Sequence, residues 1–245
     1  MLAGAKTGES KISTKILKNM KRKGSLIERP TKKANVGRQP MQRQPSVANL
    51  AKQVALAANE KKYNDVTLNQ DANTTPVVTA LSTFGTGDTV LLRDGNKAIF
   101  KSFDIKVKMT NNALTQSNVC RFVLVCDKLA QAEQCTWGTA SSVADVFDAE
   151  AITARRNILS AERFIVLMDE VVVINELSGT GGAPAKAYFR RHIKVPPALQ
   201  LVAWSGSSST IPVKNAFSLL YMGDTAAGVT DVNIEGTVRV RWCDK

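Results

Sequence analysis

The chain has 245 residues, with 33 Lys and Arg against 21 Asp and Glu, a formal net charge of +12 and a pI of about 9.7. That length holds one large domain or two small ones with a real core. No stretch approaches the ~20 apolar residues of a transmembrane helix, which excludes a chain that spans a membrane. A single His removes most His-dependent catalysis and His-rich metal sites, and four Cys at 120, 126, 135 and 243 form no C-x-x-C pair. Zinc ribbons and thioredoxin-like redox motifs are therefore excluded by spacing.

Residues 1–62 hold fifteen Lys and Arg and three acids, Glu9, Glu28 and Glu60; residues 63–245 hold eighteen of each sign. The whole net charge thus belongs to the first quarter, a basic arm (1–62) on a neutral body (63–245). Like charges repel and bury no apolar area, so the arm is expected to be mostly disordered until a polyanion neutralises it. Within it, Ser10 to Lys23 places Ile12, Ile16, Leu17 and Met20 at helical spacing among lysines. Arg29 to Pro45 carries Pro30, Gly37, Pro40 and Pro45 and reads as an extended linker. Ser46 to Lys62 reads as a helix again, with Ser46 as its cap and Val47, Leu50, Val54 and Leu56 apolar.

No apolar run follows the first lysines, so the arm does not read as a signal peptide. A membrane-surface helix over 10–23 would lack Trp and Phe anchors, and no membrane partner is expected. Charge neutralisation of a nucleic acid fits better. The expected phosphate contacts are Lys11, Lys15, Lys18, Lys21, Arg22, Lys23, Arg29, Lys32, Lys33, Arg38 and Arg43. Lys18 to Lys23 and the Lys32-Lys33 pair also fit a nuclear import signal.

The body reads as strands. In order, they are Val66 to Leu68 leading into Val77 to Thr83, Lys101 to Thr110, Val119 to Val125, Arg163 to Ile174, Lys186 to Val195, Leu199 to Trp204, Asn215 to Met222 and Asp231 to Asp244. Lys101 to Thr110 alternates Phe103, Ile105, Val107 and Met109 against Ser102, Asp104, Lys106 and Lys108. Asp231 to Asp244 alternates Val232, Ile234, Val238, Val240 and Trp242 against Asn233, Glu235, Thr237, Arg239 and Arg241. Such period-two runs predict half-buried antiparallel strands. Val119 to Val125 and Arg163 to Ile174 are denser and predict strands covered on both faces. About eight strands predict an all-β sandwich or barrel, and the jelly roll has that count. The long connection from Asp127 to Ala161 suits a Greek-key crossover. Phe103, Ile105, Val107, Leu124, Ile165, Leu167, Phe217, Leu219, Val238 and Val240 are expected in the core.

Catalytic motifs are not found, and no catalytic residue is assigned. Gly206-Ser207-Ser208-Ser209 is a polar loop, and Gly179-Thr180-Gly181-Gly182 lacks the Lys-Ser/Thr of a phosphate loop. His192, beside Arg190, Arg191 and Lys194, reads as a surface strand residue. The pairs Asp169-Glu170 and Asp148/Glu150 could hold a hard cation such as calcium, but a solvated or salt-bridged role is expected, and no metal or cofactor is assigned. Cys120 and Cys126 share a strand face and read as small hydrophobes.

Arg93-Asp94-Gly95-Asn96-Lys97, followed by Lys101-Ser102-Phe103-Asp104-Ile105, resembles a segment of the capsid proteins of satellite tobacco necrosis virus type and of circular Rep-encoding single-stranded DNA viruses. Arg121 to Lys128 resembles their strand ending in Asp-Lys, with Leu129-Ala130-Gln131-Ala132 replacing the usual turn. Arg163-Phe164-Ile165-Val166-Leu167-Met168-Asp169 is similar to their R-F-x-I-L-x-D strand. The resemblance implies a single eight-stranded antiparallel jelly roll that self-assembles, with 60 copies in a T=1 icosahedral shell. It implies a virion protein that packages a single-stranded genome but does not establish the genome type, because the same fold packages RNA in the satellite viruses and DNA in the circular ones. DNA is favoured over RNA as an expectation, and the lysine runs add the host nucleus as a site of assembly. A cellular jelly-roll binding module with a basic tail, and an enzyme on a β-sandwich, are the alternatives.

Overall fold

A computed structural model of the protein describes residues 61–111, 116–130, 135–138, 144–175, 184–206, 208–228 and 231–244. Ten strands follow in chain order: β1 (Lys61–Asn69), β2 (Val77–Ala80), β3 (Lys97–Asn111), β4 (Asn118–Asp127), β5 (Phe164–Ile174), β6 (Lys186–Lys194), β7 (Leu201–Trp204), β8 (Pro212–Lys214), β9 (Ala216–Gly223) and β10 (Val232–Asp244). The helices read over 10–23 and 46–60, the 29–45 linker and the Gly179 to Gly182 loop lie outside the described residues. Lys61 and Lys62, read as the end of a helix, instead open β1. Among the described residues no helix is long and apolar enough to cross a membrane.

Every strand pairing is antiparallel. One sheet runs β1-β10-β3, with β6 along most of β3 and the β7-β8 pair along its first residues; the other runs β2-β9-β4-β5. Eight strands therefore oppose four to four, β1-β10-β3-β6 against β2-β9-β4-β5. The chain changes sheet between β1 and β2, β2 and β3, β3 and β4, β5 and β6, β8 and β9, and β9 and β10. This is a jelly roll. The eight are not quite those read from sequence. Val66 to Leu68 and Val77 to Thr83 are separate strands in different sheets, while Leu199 to Trp204 is β7, an addition outside the eight. β1 was hard to see because Lys62 fills one of its inward positions, so only Val66 and Leu68 mark its apolar face.

The core between the sheets is aromatic. Phe84 stacks on Trp242 at 4.6 Å, Phe100 on Phe217 at 5.6 Å, and Phe103 meets Phe217 at 5.0 Å. A register shift at Arg241/Trp242 lets both Phe100 and Phe103 point inward. Eight of the ten expected core residues are fully buried; Ile165 and Leu167 are half-buried against the same cluster.

β4 is covered on both faces, as its apolar density predicts, but β5 is not: Val171 and Val173 are 57% exposed. β5 is an edge strand, and the segment that covers the outer side of this sheet reaches only its first half. That segment, residues 128–163, joins two adjacent strands, so it is not a crossover. Its Trp137, Val146 and Phe147 pack over Val123, Val125, Leu220 and Met222 in a second apolar cluster.

Phe217 of β9 packs against the Phe100 and Phe103 rings of the opposing sheet, so Phe217→Ala should lower the subunit's unfolding free energy by ~3–5 kcal/mol, read from urea midpoints of the dissociated protein.

Candidate functional site

The residues that carry the family resemblance prove to be anchors. Arg93 is fully buried; its Nε donates to the Phe84 carbonyl at 3.3 Å, and Nη2 to that of Gly206 at 3.2 Å. It also donates to the carbonyls of Gly95 and Ser209 and lies 4.4 Å over the Trp204 ring. The polar Gly206–Ser209 loop is thus a cradle for an arginine. Arg121 grips Asp169 through two bonds of 2.7 and 2.6 Å, donates to the carbonyls of Ile152 and Ala154, and lies over Phe147 at 4.5 Å. It ties the 128–163 cover to the sheet beneath. Arg163 grips Asp127 through bonds of 2.9 and 2.7 Å and closes the root of that cover. Planar guanidinium forks suit these bidentate, stacked positions in a way lysine does not.

Lys62 is the fourth anchor. Its buried Nζ lies 2.9 Å from Asp94, 2.7 Å from Asp244 and 3.0 Å from the Leu92 carbonyl. Burial works against its charge, yet the two carboxylates outweigh burial and raise its pKa to about 12. The start of β1, the turn before β3 and the end of β10 are joined here.

The surface groups weighed for chemistry are engaged. Asp169 is held by Arg121, and Glu170 pairs with Arg191 at 2.5 Å. Asp148 accepts from the Arg155 backbone N–H at 2.8 Å. His192 is exposed on β6 and hydrogen-bonded to Asp104. Cys120 and Cys126 are buried, and burial pushes both thiols up to about 12, so they pack as neutral groups. Among the described residues no three His, Cys, Asp or Glu side chains converge on a cation site.

The two sheets differ on their outer sides. The β2-β9-β4 face lies under the 128–163 cover. The β1-β10-β3-β6 face has no such cover among the described residues, and its register sets side chains in rows: Tyr63, Arg241, Ser102, Lys194; Asp65, Arg239, Asp104, His192; Thr67, Thr237, Lys106, Arg190; Asn69, Glu235, Lys108, Tyr188. Lys186 stands opposite Thr110 in the next row. Its three carboxylates are all engaged. Asp65 pairs with Arg239, Asp104 with Arg241 and His192, and Glu235 with Lys108 at 2.7 Å. The Arg239 guanidinium holds the Asp65 carboxyl below its ordinary value. The eleven arm residues expected to contact phosphate lie outside the described residues. This face was missed in sequence because its cations come from four strands whose register the sequence does not display.

The sequence matches the satellite tobacco necrosis virus coat protein family over residues 31–242, most of its length. The chain belongs to that family. A coat protein's role is structural, in a virion, through contact with copies of itself. No relative is found among curated protein sequences. Among solved structures, the coat protein is similar to a chain of the turnip yellow mosaic virus empty head, at 13% identity over 76% of this chain and 81% of that one, TM-score 0.32. It is also similar to chains of infectious bursal disease virus. For the Gx strain the identity is 10% over 75% of this chain, TM-score 0.32; for the VP2 subviral particle it is 11% over 74%, TM-score 0.30. The alignments cover 32% and 33% of those two longer chains.

Removing one partner of a buried ion pair costs ~3–5 kcal/mol, so Lys62→Ala should destabilise the coat protein by that amount near neutral pH. The folded-state pKa of Lys62 stands above the ordinary 10.5, so its contribution is complete below pH 10.5 and fades as pH rises through about 12. Urea midpoints of wild type and variant should converge across that window.

Proposed function

We propose that this coat protein assembles from sixty copies into a T=1 icosahedral shell and packages a single-stranded genome through residues 1–62. The observation that carries the reading is the charge split: the net +12 of the chain resides in that arm, beside a body of zero net charge. A neutral jelly roll can pack against its own copies without mutual repulsion, while a cationic tail neutralises phosphates. Sixty arms bring about 720 net positive charges, enough for about as many nucleotides at one phosphate each.

The connection between β4 and β5 offers apolar surface for contacts between copies: Leu129, Ile158 and Leu159 are 60%, 89% and 73% exposed. Leu129 and Leu159 border a groove of about 770 Å³ with Ile165 and Leu199. A neighbouring copy fills this groove in the shell, since exposed apolar area of this kind marks an interface and the family is one of coat proteins. No catalytic step is assigned to the protein. The Lys18 to Lys23 run serves as the import signal for assembly in the nucleus, and the packaged strand is DNA.

Electron microscopy of the purified protein should show small uniform shells, and Leu159→Asp should leave folded subunits that elute as small species. Extracted nucleic acid should be digested by DNase and resist RNase; the reverse result would reassign the genome to RNA. Arm peptide should bind unrelated single-stranded oligonucleotides alike. Its log–log salt slope should be no steeper than about −8, at about −0.7 for each of eleven contacts. A flat salt response, or strong preference for one sequence, would overturn packaging by the arm.

A further inference from the structure

We propose that the outer face of the β1-β10-β3-β6 sheet is a second binding surface for single-stranded nucleic acid, with phosphates on Lys106 and Arg190 and a base stacked on Tyr188. The proposal rests on the packaging reading and locates, on the folded domain, a site separate from the arm.

Lys106 and Arg190 face each other directly across β3 and β6. Like charges in directly opposed positions of a sheet are unfavourable. Among the described residues neither cation forms an ion pair: Asp65, Asp104 and Glu235 are each bound to other cations, and Asp65 feels Lys106 only at longer range. A polyanion lying across the two strands removes that repulsion and gains two charge-assisted contacts. Tyr188 stands two residues before Arg190 on the same face, opposite Lys108, and its side chain is 67% exposed. A largely exposed aromatic ring flanked by Lys108, Lys186 and Arg190 combines the two elements of sequence-tolerant single-strand recognition: cations for the backbone and a platform for a base. A duplex, with its bases already stacked, could use the cations but not the ring. Lys61, where the arm joins the domain, lies on the outer side of β1 in this same sheet.

The experiment uses full-length subunits and fluorescent single-stranded and duplex oligonucleotides over a range of salt. Lys106→Gln with Arg190→Gln should reduce the single-strand salt slope by about 1.4, two contacts at about 0.7 each. Tyr188→Ala should weaken single-strand binding roughly tenfold at unchanged slope, leaving duplex binding alone. Lys18→Gln with Lys21→Gln serves as the arm control. Should only the arm control lower the slope, the face proposal falls and packaging by the arm stands; should neither pair lower it, the packaging reading falls as well. Ultraviolet crosslinking of wild-type protein to a bromouracil-substituted strand needs no variant to fold. Adducts on Tyr188 support the proposal, and adducts confined to residues 1–60 overturn it.

Discussion

β4 runs through the middle of its sheet with apolar side chains on both faces, and much of the molecule follows from covering it twice. On one side the opposing sheet supplies the aromatic cluster around Phe100 and Phe217. On the other side the described residues form no third sheet, and Trp137, Val146 and Phe147, in the connection from β4 to β5, lie over the outer face of β4 instead. That cover has few ladder hydrogen bonds of its own, and an irregular segment buries backbone carbonyls that need donors. Arg121 answers both demands. It donates to the carbonyls of Ile152 and Ala154 while its plane rests on Phe147, and Asp169 on β5 balances its charge. Arg163 and Asp127 fasten the two ends of the excursion together.

Covering one sheet leaves the other with a free outer face, and that face is built for water. Its rows are polar or charged, and its cations sit on long side chains that extend away from their strands. The pairing of Asp65 with Arg239 and of Asp104 with Arg241 restrains the net charge without cancelling it. The side away from the cover therefore carries a cationic exterior.

The sequence shows the strands whose two faces differ in chemistry and hides those whose faces do not. β3 and β10 alternate cleanly, and their inward residues were readable one by one. β1 was nearly invisible because the buried position at Lys62 carries a charge, and nothing local indicates that Asp94 and Asp244 will come to meet it from 32 and 182 positions away. The extent of burial on β5 was overstated for a related reason. A run such as Val171 to Val173 looks the same whether the strand is central or at an edge, because burial there depends on how far residues 128–163 reach. The arginines at 93, 121 and 163 could be recognised as a pattern, whereas their role as anchors could not, since each bonds to carbonyls supplied by distant loops. The cationic face was hidden for want of register: Lys106 and Arg190 are 84 residues apart in sequence and opposite each other in the sheet.

The arm and the sheet face differ in how salt acts on them, and that difference bears on what each can do for a bound strand. Neighbouring strands lie ~4.8 Å apart and same-face residues ~6.7 Å apart along a strand, so Lys106 stands within a Debye length, ~8 Å at physiological salt, of both Arg190 and Lys108. Their fields therefore add at a fixed place even where bulk screening is strong. Net charge alone, which is what the sequence of the arm supplies, attracts a polyanion but confers no position. On the packaging reading, the arm accounts for how much nucleic acid a shell can hold, and a rigid row of cations beside a tyrosine for where a strand comes to rest against the wall. Position requires a side chain held by a folded backbone, and β6 holds Tyr188 and Arg190 through its pairing with β3.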